Sequence, residues 1–531
     1  MKNNKNSESS IFYPEYDISG MRSKTKEAPT WVHFGGGNLF RAFHAEIADD
    51  LLVKGLTDKG VVVAETYDEE VIENIYHQYD NKILQVIMKS NGALDKRLIS
   101  SVSESYYLAP DTTGQKELRT IFESETLQLV TFSITEKAYK LSDMKGKFFP
   151  FVEKDLNNLP EKAEHTISQL VYLILTRFYK NGKPLALVST DNFSRNGQIL
   201  EDSVLTIANK WLDNGYVPKE FLEYINSSIS FPWTMIDRIT PNPSETVEEL
   251  LKESASDFVG ILHSKKHTNI APFVNTEETH YLVIEDDFPN GRPRFEEVGV
   301  ILTDRETVDK VDAMKVTTCL NPLHTTLAIF GCLLGYDSIS DEMKDSDLRE
   351  LVKKIGYSEG LPVVVNPGII NPKEFIDEVI ETRLPNKYIP DTPQRIATDT
   401  SQKMAIRFGE TLNKYNSSEK LDVSDLEYIP LTIAAWCRYL MGVNDEGQIF
   451  EPSPDPMLTF LNEELSDLKL GDSLSEESEL RVILENESIF GCDCYAIGLG
   501  KKIEMYFNKM ISGTGSVRNT LQELLQSEGE K

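Results

Sequence analysis

The stretch KVTTCLNPLHTTLA, from Lys315 to Ala328, holds a lysine, an asparagine and a histidine within ten residues, ahead of an apolar run. A lysine whose pKa is lowered by burial or neighbouring cations can take up the proton an alcohol loses on oxidation to a carbonyl. Asparagine amides can donate to the same oxygen and stabilise alkoxide charge as it develops. Lys315, Asn321 and His324 are therefore candidates for proton transfer and oxygen binding at an alcohol–carbonyl centre. A plain helix start also fits part of the stretch. Asn321 suits the N-cap and Pro322 the first helical position, where its missing N–H costs nothing. That second reading leaves Lys315 and His324 unexplained.

Alcohol oxidation needs an acceptor for the hydride, and VHFGGGNLFRAF (32–43) offers a place for one. It follows a predicted strand and opens a predicted helix. Gly35 and Gly37 fit the first two positions of G-x-G-x-x-G, where they permit a tight turn and close approach of a pyrophosphate to a helix N-terminus. Phe40 stands where the third glycine would serve helix–strand packing. The next strand ends at Glu65, and Glu65 or Asp68 can accept from ribose hydroxyls. No Arg or Lys lies between Val61 and Glu73 to meet a 2′-phosphate, which favours NAD. An ordinary strand–turn–helix connection accounts for the glycines equally well.

Ligands of a doubly wound sheet bind beyond the carboxyl ends of its strands. LQLVTFSIT (127–135) leads into Glu136, Lys137 and Tyr139, and PLALVST (184–190) into Asp191 and Asn192. FPWTMIDRITP (231–241) sets Asp237 and Arg238 among apolar residues. Each has a plain alternative: a solvated loop charge, an Asx turn, a surface ion pair.

The elements needed to position these groups are legible. TWVHF (30–34), GVVVAET (60–66) and the two runs above are near-continuously apolar and β-branched, as strands buried on both faces are. Alternation with helical segments such as 38–52 indicates an α/β, Rossmann-type, doubly wound parallel sheet. Beyond about 305 helical periodicity dominates, in 346–357, 372–384, 393–415, 430–443 and 516–531. The expected organisation is a tail and lead-in (1–28), a Rossmann-type dinucleotide-binding domain (29–305) and a mostly α-helical substrate-binding domain (306–531).

At 531 residues the chain exceeds one ordinary core. A net charge of −30 repels phosphate backbones and argues against nucleic-acid partners. No run of eighteen apolar residues reads as a membrane span. The polar start MKNNKNSESS reads as a frayed tail without a signal segment, and QSEGEK as a frayed end. Five scattered cysteines fit reduced thiols in a cytoplasm, and CDC (492–494) lacks a second ligand pair at metal-binding spacing.

In order along residues 30–455, VHFGGGNLFRAFHA, SITEKAY, STDNFSRNG, FPWTMIDRITP, VIEDDFPNGRP, KVTTCLNPLH, DTSQK and AAWCRYLMGV resemble the polyol-specific long-chain dehydrogenase/reductase family. The resemblance implies a Rossmann-type domain, a helical domain and NAD(P)-dependent hydride transfer without a metal. It makes Lys315 the general acid/base and Asn192 and Asn321 the oxyanion donors. His324, Asp237, Arg395 and Lys403 become substrate contacts. Gly35, Gly37, Asn38, Phe40, Glu65, Asp68 and Glu136 fall where the cofactor, NAD, is held.

The motifs, LNPLHT among them, resemble the uronate branch of the family more than its mannitol branch, and that resemblance implies reduction of D-fructuronate to D-mannonate. Mannitol–fructose interconversion and tagaturonate reduction are alternatives, and a non-catalytic sugar-acid or dinucleotide sensor is the alternative of another class. Arg395, Lys403 and Arg238 are candidate cations for a uronate carboxylate. The family pattern has one residue fewer between lysine and asparagine, and a glycine at Pro322. One residue turns an α-helix by about 100°, so a bulge or break is expected between Lys315 and Asn321, with Lys310 the substitute base.

Overall fold

The computed structural model describes residues 11–529 except 144 and 253; the expected tail, 1–10, lies outside them. The chain forms two compact units, one ending at Asp309 and one beginning at Lys310.

The first unit is built on six parallel strands: β1 (Trp31–Phe34), β2 (Val61–Glu65), β3 (Val102–Tyr107), β4 (Leu129–Phe132), β5 (Leu185–Ser189) and β6 (Ile229–Ser230). Their spatial order is β3-β2-β1-β4-β5-β6, the doubly wound dinucleotide-binding arrangement. Strand periodicity explains why the inner runs are apolar throughout. Val32, Phe34, Val62, Ala64, Val130 and Phe132 feed one core, beneath helices Thr113–Phe122, Thr166–Lys180 and Asn196–Asp213. Their neighbours Trp31, Val61, Val63 and Leu129 feed the other, with Phe40, Phe43, Ile47 and Leu51.

Further strands extend this unit. The antiparallel pair Ile83–Met88 and Leu94–Ile99 is joined by Phe273–Glu277, parallel to Ile83–Met88. Thr234–Asp237 runs antiparallel to Tyr281–Glu285, which lies parallel to Ile301–Thr303.

Among the described residues from Lys310 onward there is no strand. Every residue of helix Tyr428–Leu440 is buried, and it packs against helices Asn321–Leu334 and Gly500–Ile511. Its N-terminal N–H groups are satisfied by Glu359, whose carboxylate accepts from Glu427, Tyr428 and Ile429 at 2.6, 2.7 and 2.8 Å. The expected helix over 393–415 is broken: Asp399 has φ 54°, separating Pro393–Ile396 from Thr400–Gln402 and the helical turns after Ala405. The last helix runs from Ser516 to Gly529, through most of the end expected to fray. The helical stretch Arg305–Leu334 is long and apolar enough to cross a membrane, yet 78% of its most apolar window is buried inside the protein, as in a core helix.

Candidate active site

In the first unit the glycine turn leaves β1 at Gly35, whose φ of 100° and separation of only 2.2 Å between a built Cβ and the Ser133 carbonyl oxygen admit no side chain. A Cβ on Gly37 would meet nothing within 4 Å, so the backbone there is open to a ligand at the head of the following helix. Asn38 is held aside by donating its amide to the Pro241 carbonyl at 3.2 Å. These features fit a dinucleotide pyrophosphate.

The side chains of two expected cofactor contacts are engaged within the fold. Phe40 is fully buried, its ring 4.4 Å from that of His33, so its side chain fills core in place of the packing a third glycine would give. Glu65 is also enclosed. Its Oε2 accepts from the Gly36 N–H at 2.7 Å, and its Oε1 from the N–H groups of Thr66, Tyr67 and Asp68 at 3.0, 2.7 and 3.3 Å. The carboxylate splints the turn and has little left for a ribose. Burial raises its pKa above the ordinary range, against the pull of those four donors. Asp68 is likewise engaged, accepting from Glu70 N–H at 3.1 Å and Ser264 Oγ at 2.6 Å. The fold also brings cations that the local sequence lacks: Lys266 Nζ stands 5.4 Å from the centre of the Tyr67 ring, and Lys265 Nζ 3.6 Å from Glu70.

At the ends of β4 and β5 the organising group is Asp191, whose neighbour Asn192 is exposed. Asp191 accepts from Ile134 N–H and Thr135 N–H at 2.9 Å each, and from Tyr139 Oη at 2.7 Å. It fixes Thr135 at φ 70°, ψ 150°, a region nearly reserved for glycine. Glu136, next along, is exposed and pairs with Lys140 at 2.9 Å, a solvated ion pair beyond the carboxyl end of β4. Asp237 ends its strand, buried. Arg238 is withdrawn from the candidate carboxylate ligands: its side chain is 0% exposed, ion-paired with Glu46 and donating to Ala42 O at 2.7 Å and Thr276 Oγ1 at 3.0 Å.

In the second unit Lys315, 2% exposed, opens a π-helical turn, Lys315–Cys319, closed by the Leu320 N–H to Lys315 carbonyl bond at 3.1 Å. An i→i+5 turn accommodates one residue more than an α-turn, so the bulge takes up the residue that separates this cluster from the family pattern. The expected N-cap at Asn321 is corrected. Helix Asn321–Leu334 is entered from Leu320 without a side-chain cap, because the preceding turn already leads into it. Asn321 spends its carbonyl on Thr325 Oγ1 at 2.9 Å, and its amide is not consumed in capping.

His324 Nε2 is buried without a hydrogen-bond partner among the described residues; Asp391 Oδ2 stands 3.4 Å away, poorly directed. Burial, with Arg407, Arg395, Arg383 and Lys403 nearby, pulls its pKa down to about 3, so the ring is neutral. Arg395 is ion-paired with Asp391, and Lys403 donates to the Thr398 carbonyl. Arg383 and Arg407 escaped the sequence reading, since each sits in its own helical segment without a motif. Only the helical register, with Arg407 four residues past Lys403 on one face, hinted at the second.

The strand order and glycine turn define a dinucleotide-binding dehydrogenase fold. Residues 29–297 match the mannitol dehydrogenase Rossmann domain and residues 307–508 the mannitol dehydrogenase C-terminal domain, and the chain belongs to the mannitol dehydrogenase family. It is 50% identical over 517 residues to D-mannonate oxidoreductase of Thermotoga maritima, covering 97% of this chain and 96% of that one. It is 30% identical over 435 residues to mannitol 2-dehydrogenase of Neosartorya fischeri, covering 80% and 81%. Two solved structures share its fold. One is Pseudomonas fluorescens mannitol 2-dehydrogenase with NAD and D-mannitol (TM-score 0.71, 23% identity, 97% of each chain). The other is substrate-free D-sorbitol dehydrogenase (TM-score 0.77, 23% identity, 96% and 97%). The protein is thus an enzyme, an oxidoreductase of the sugar and polyol dehydrogenase kind.

Proposed function

We propose that the enzyme interconverts D-fructuronate and D-mannonate with NADH and NAD. The observation that carries this reading is the gathering of Arg383, Arg395, Lys403 and Arg407 about a neutral histidine, with Arg395 on the carboxylate nearest His324 and Arg407 on Thr325 of the same helix, a field suited to a sugar acid. The 50% identity to a D-mannonate oxidoreductase supports it. The glycine turn fits NADH, which when bound supplies the hydride.

The chain's residues manage the oxygen. The Lys315 ammonium delivers the proton that turns the carbonyl oxygen into a hydroxyl, and in the reverse direction its amine takes that proton back. Lys315 lies buried, where bulk water does not compete for the transfer. The amide of Asn321 donates to the same oxygen as it gains charge. His324, neutral and with Nε2 unpartnered, donates to or accepts from a neighbouring hydroxyl. Arg395 and Lys403 contribute positive field.

NADH oxidation with fructuronate, tagaturonate and fructose tests the assignment. Fructuronate is expected to give the highest kcat/KM. Fructose as best substrate would reject the sugar-acid reading, and NADH binding without turnover of any of the three would reject these substrates altogether.

A further inference from the structure

We infer that Arg407 is the residue that receives the substrate's carboxylate and so selects a sugar acid over a neutral sugar; the inference rests on the sugar-acid reading above. Fructuronate and fructose differ at the terminal carbon, carboxylate in one and hydroxymethyl in the other, so one cation suitably placed can discriminate between them.

Arg407 lies on the π-helical turn Ala405–Gly409, which packs against the Lys315–Cys319 turn and against helix Asn321–Leu334. Its Nη1 donates to Thr325 Oγ1, and that hydroxyl donates to the Asn321 carbonyl at 2.9 Å. The guanidinium is therefore tied, through one side chain, to the helical turn that carries Asn321 and His324. A guanidinium has five N–H donors in a planar fork, and Thr325 engages one side of it.

Two of the other cations are committed differently. Arg395 already has a carboxylate partner in Asp391. Lys403 donates to a carbonyl and feels the carboxylates of Asp399 and Asp455. Among the described residues, the Arg407 guanidinium is within ion-pair distance of no carboxylate, and burial draws its pKa down to about 10 with no acid opposing. A partly buried cation without a counter-ion is unfavourable, and an arriving carboxylate reduces that penalty while matching the fork in a bidentate pair.

The test is titration of wild type, R407M and R407K, each loaded with NADH, with D-mannonate, together with kcat/KM for fructuronate and fructose. R407M is expected to raise the Kd for D-mannonate by about 30-fold or more, and to lower the fructuronate-to-fructose kcat/KM ratio by a similar factor. R407K, keeping charge and losing the fork, is expected to fall between. Mannonate binding within threefold of wild type in R407M, or equal losses on fructuronate and fructose, would overturn the assignment. NADH binding and Tm report whether each variant is folded. If R407M is not, T325V carries the test, since it removes the hydroxyl that orients the guanidinium: a several-fold weaker mannonate Kd is expected, and no change in T325V and R407K overturns the proposal. A wild type that reduces fructuronate while Arg407 variants are indifferent defeats only the Arg407 assignment. A wild type that neither binds mannonate nor reduces fructuronate defeats the function proposed above, and this inference with it.

Discussion

A side chain's neighbours decide whether it holds the fold or is available to a ligand, and Glu65 and Lys315 show the two outcomes. Glu65 stands where a ribose acceptor is expected, yet its carboxylate accepts from four backbone N–H groups and belongs to the turn. Glu65→Gln leaves one oxygen to accept and an amide facing donors. It is expected to raise the Kd for NADH about tenfold, the effect of about 1.4 kcal/mol from impaired hydrogen bonds. Fluorescence titration with NADH and NADPH checks this; unchanged NADH affinity would mean the turn does not depend on Glu65. Lys315 is buried at the head of the π-turn. Lys315→Ala is expected to lower kcat by about a thousandfold or more, as loss of a general acid/base with its positioning does, with NADH affinity within threefold of wild type. Normal turnover in that variant would take Lys315 out of the mechanism.

Elements were legible where burial made them simple. The inner strands β1, β2, β4 and β5 are buried along their whole length, so their sequences are continuously apolar. Edge strand β3, VSESYY, is half-polar because one edge has no neighbour, and the strands at 83–99 and 273–285 carry Gln, Asn, Glu and Lys among their apolar residues. Those were not recoverable from runs of hydrophobic residues. In the site, the lysine–asparagine–histidine cluster and the glycine turn were legible because both are local in sequence. Asp191's clamp, Lys266 beside Tyr67 and Arg407 beside Thr325 depend on pairings between distant segments, the last 82 residues apart. The π-turn was legible only as a mismatch of one residue. The Asp191 clamp has a measurable consequence in the loop it holds. Thr135 occupies a backbone region that costs a β-branched residue about 1–3 kcal/mol. Thr135→Gly is expected to relieve that strain, less about 0.5–1 kcal/mol of added chain entropy, for a net gain of about 1 kcal/mol in denaturant unfolding. Thr135→Ala keeps a Cβ and should gain little. A destabilised glycine variant would show that the threonine's own contacts outweigh its backbone strain.

At the scale of the whole molecule, a charge of −30 is carried largely by exposed carboxylates, while a few acids are buried and set how stability responds to pH. Glu342 is 0% exposed, and neither carboxyl oxygen has a hydrogen-bond partner among the described residues. Burial, with Asp341 and Asp345 nearby, raises its pKa to about 9. Glu359, held by three backbone N–H groups, is raised to about 7, burial outweighing those bonds. The sign follows from proton binding. Between the unfolded value of 4.5 and these raised values the native state holds protons that the unfolded state has released, so stability falls as pH rises. For Glu342 the slope is about 1.4 kcal/mol per pH unit and ends near pH 9, where the native carboxyl also ionises. Glu342→Gln keeps the shape and a neutral group at every pH. Near pH 5 it should therefore unfold with a Tm close to wild type, and at pH 8 with a clearly higher one. Calorimetric Tm values for both proteins at the two pH values check the expectation. A Tm difference that is the same at pH 5 and pH 8 would mean that the buried carboxyl does not govern the loss of stability at alkaline pH, and that Glu342 finds its counter-charge or water in the folded enzyme.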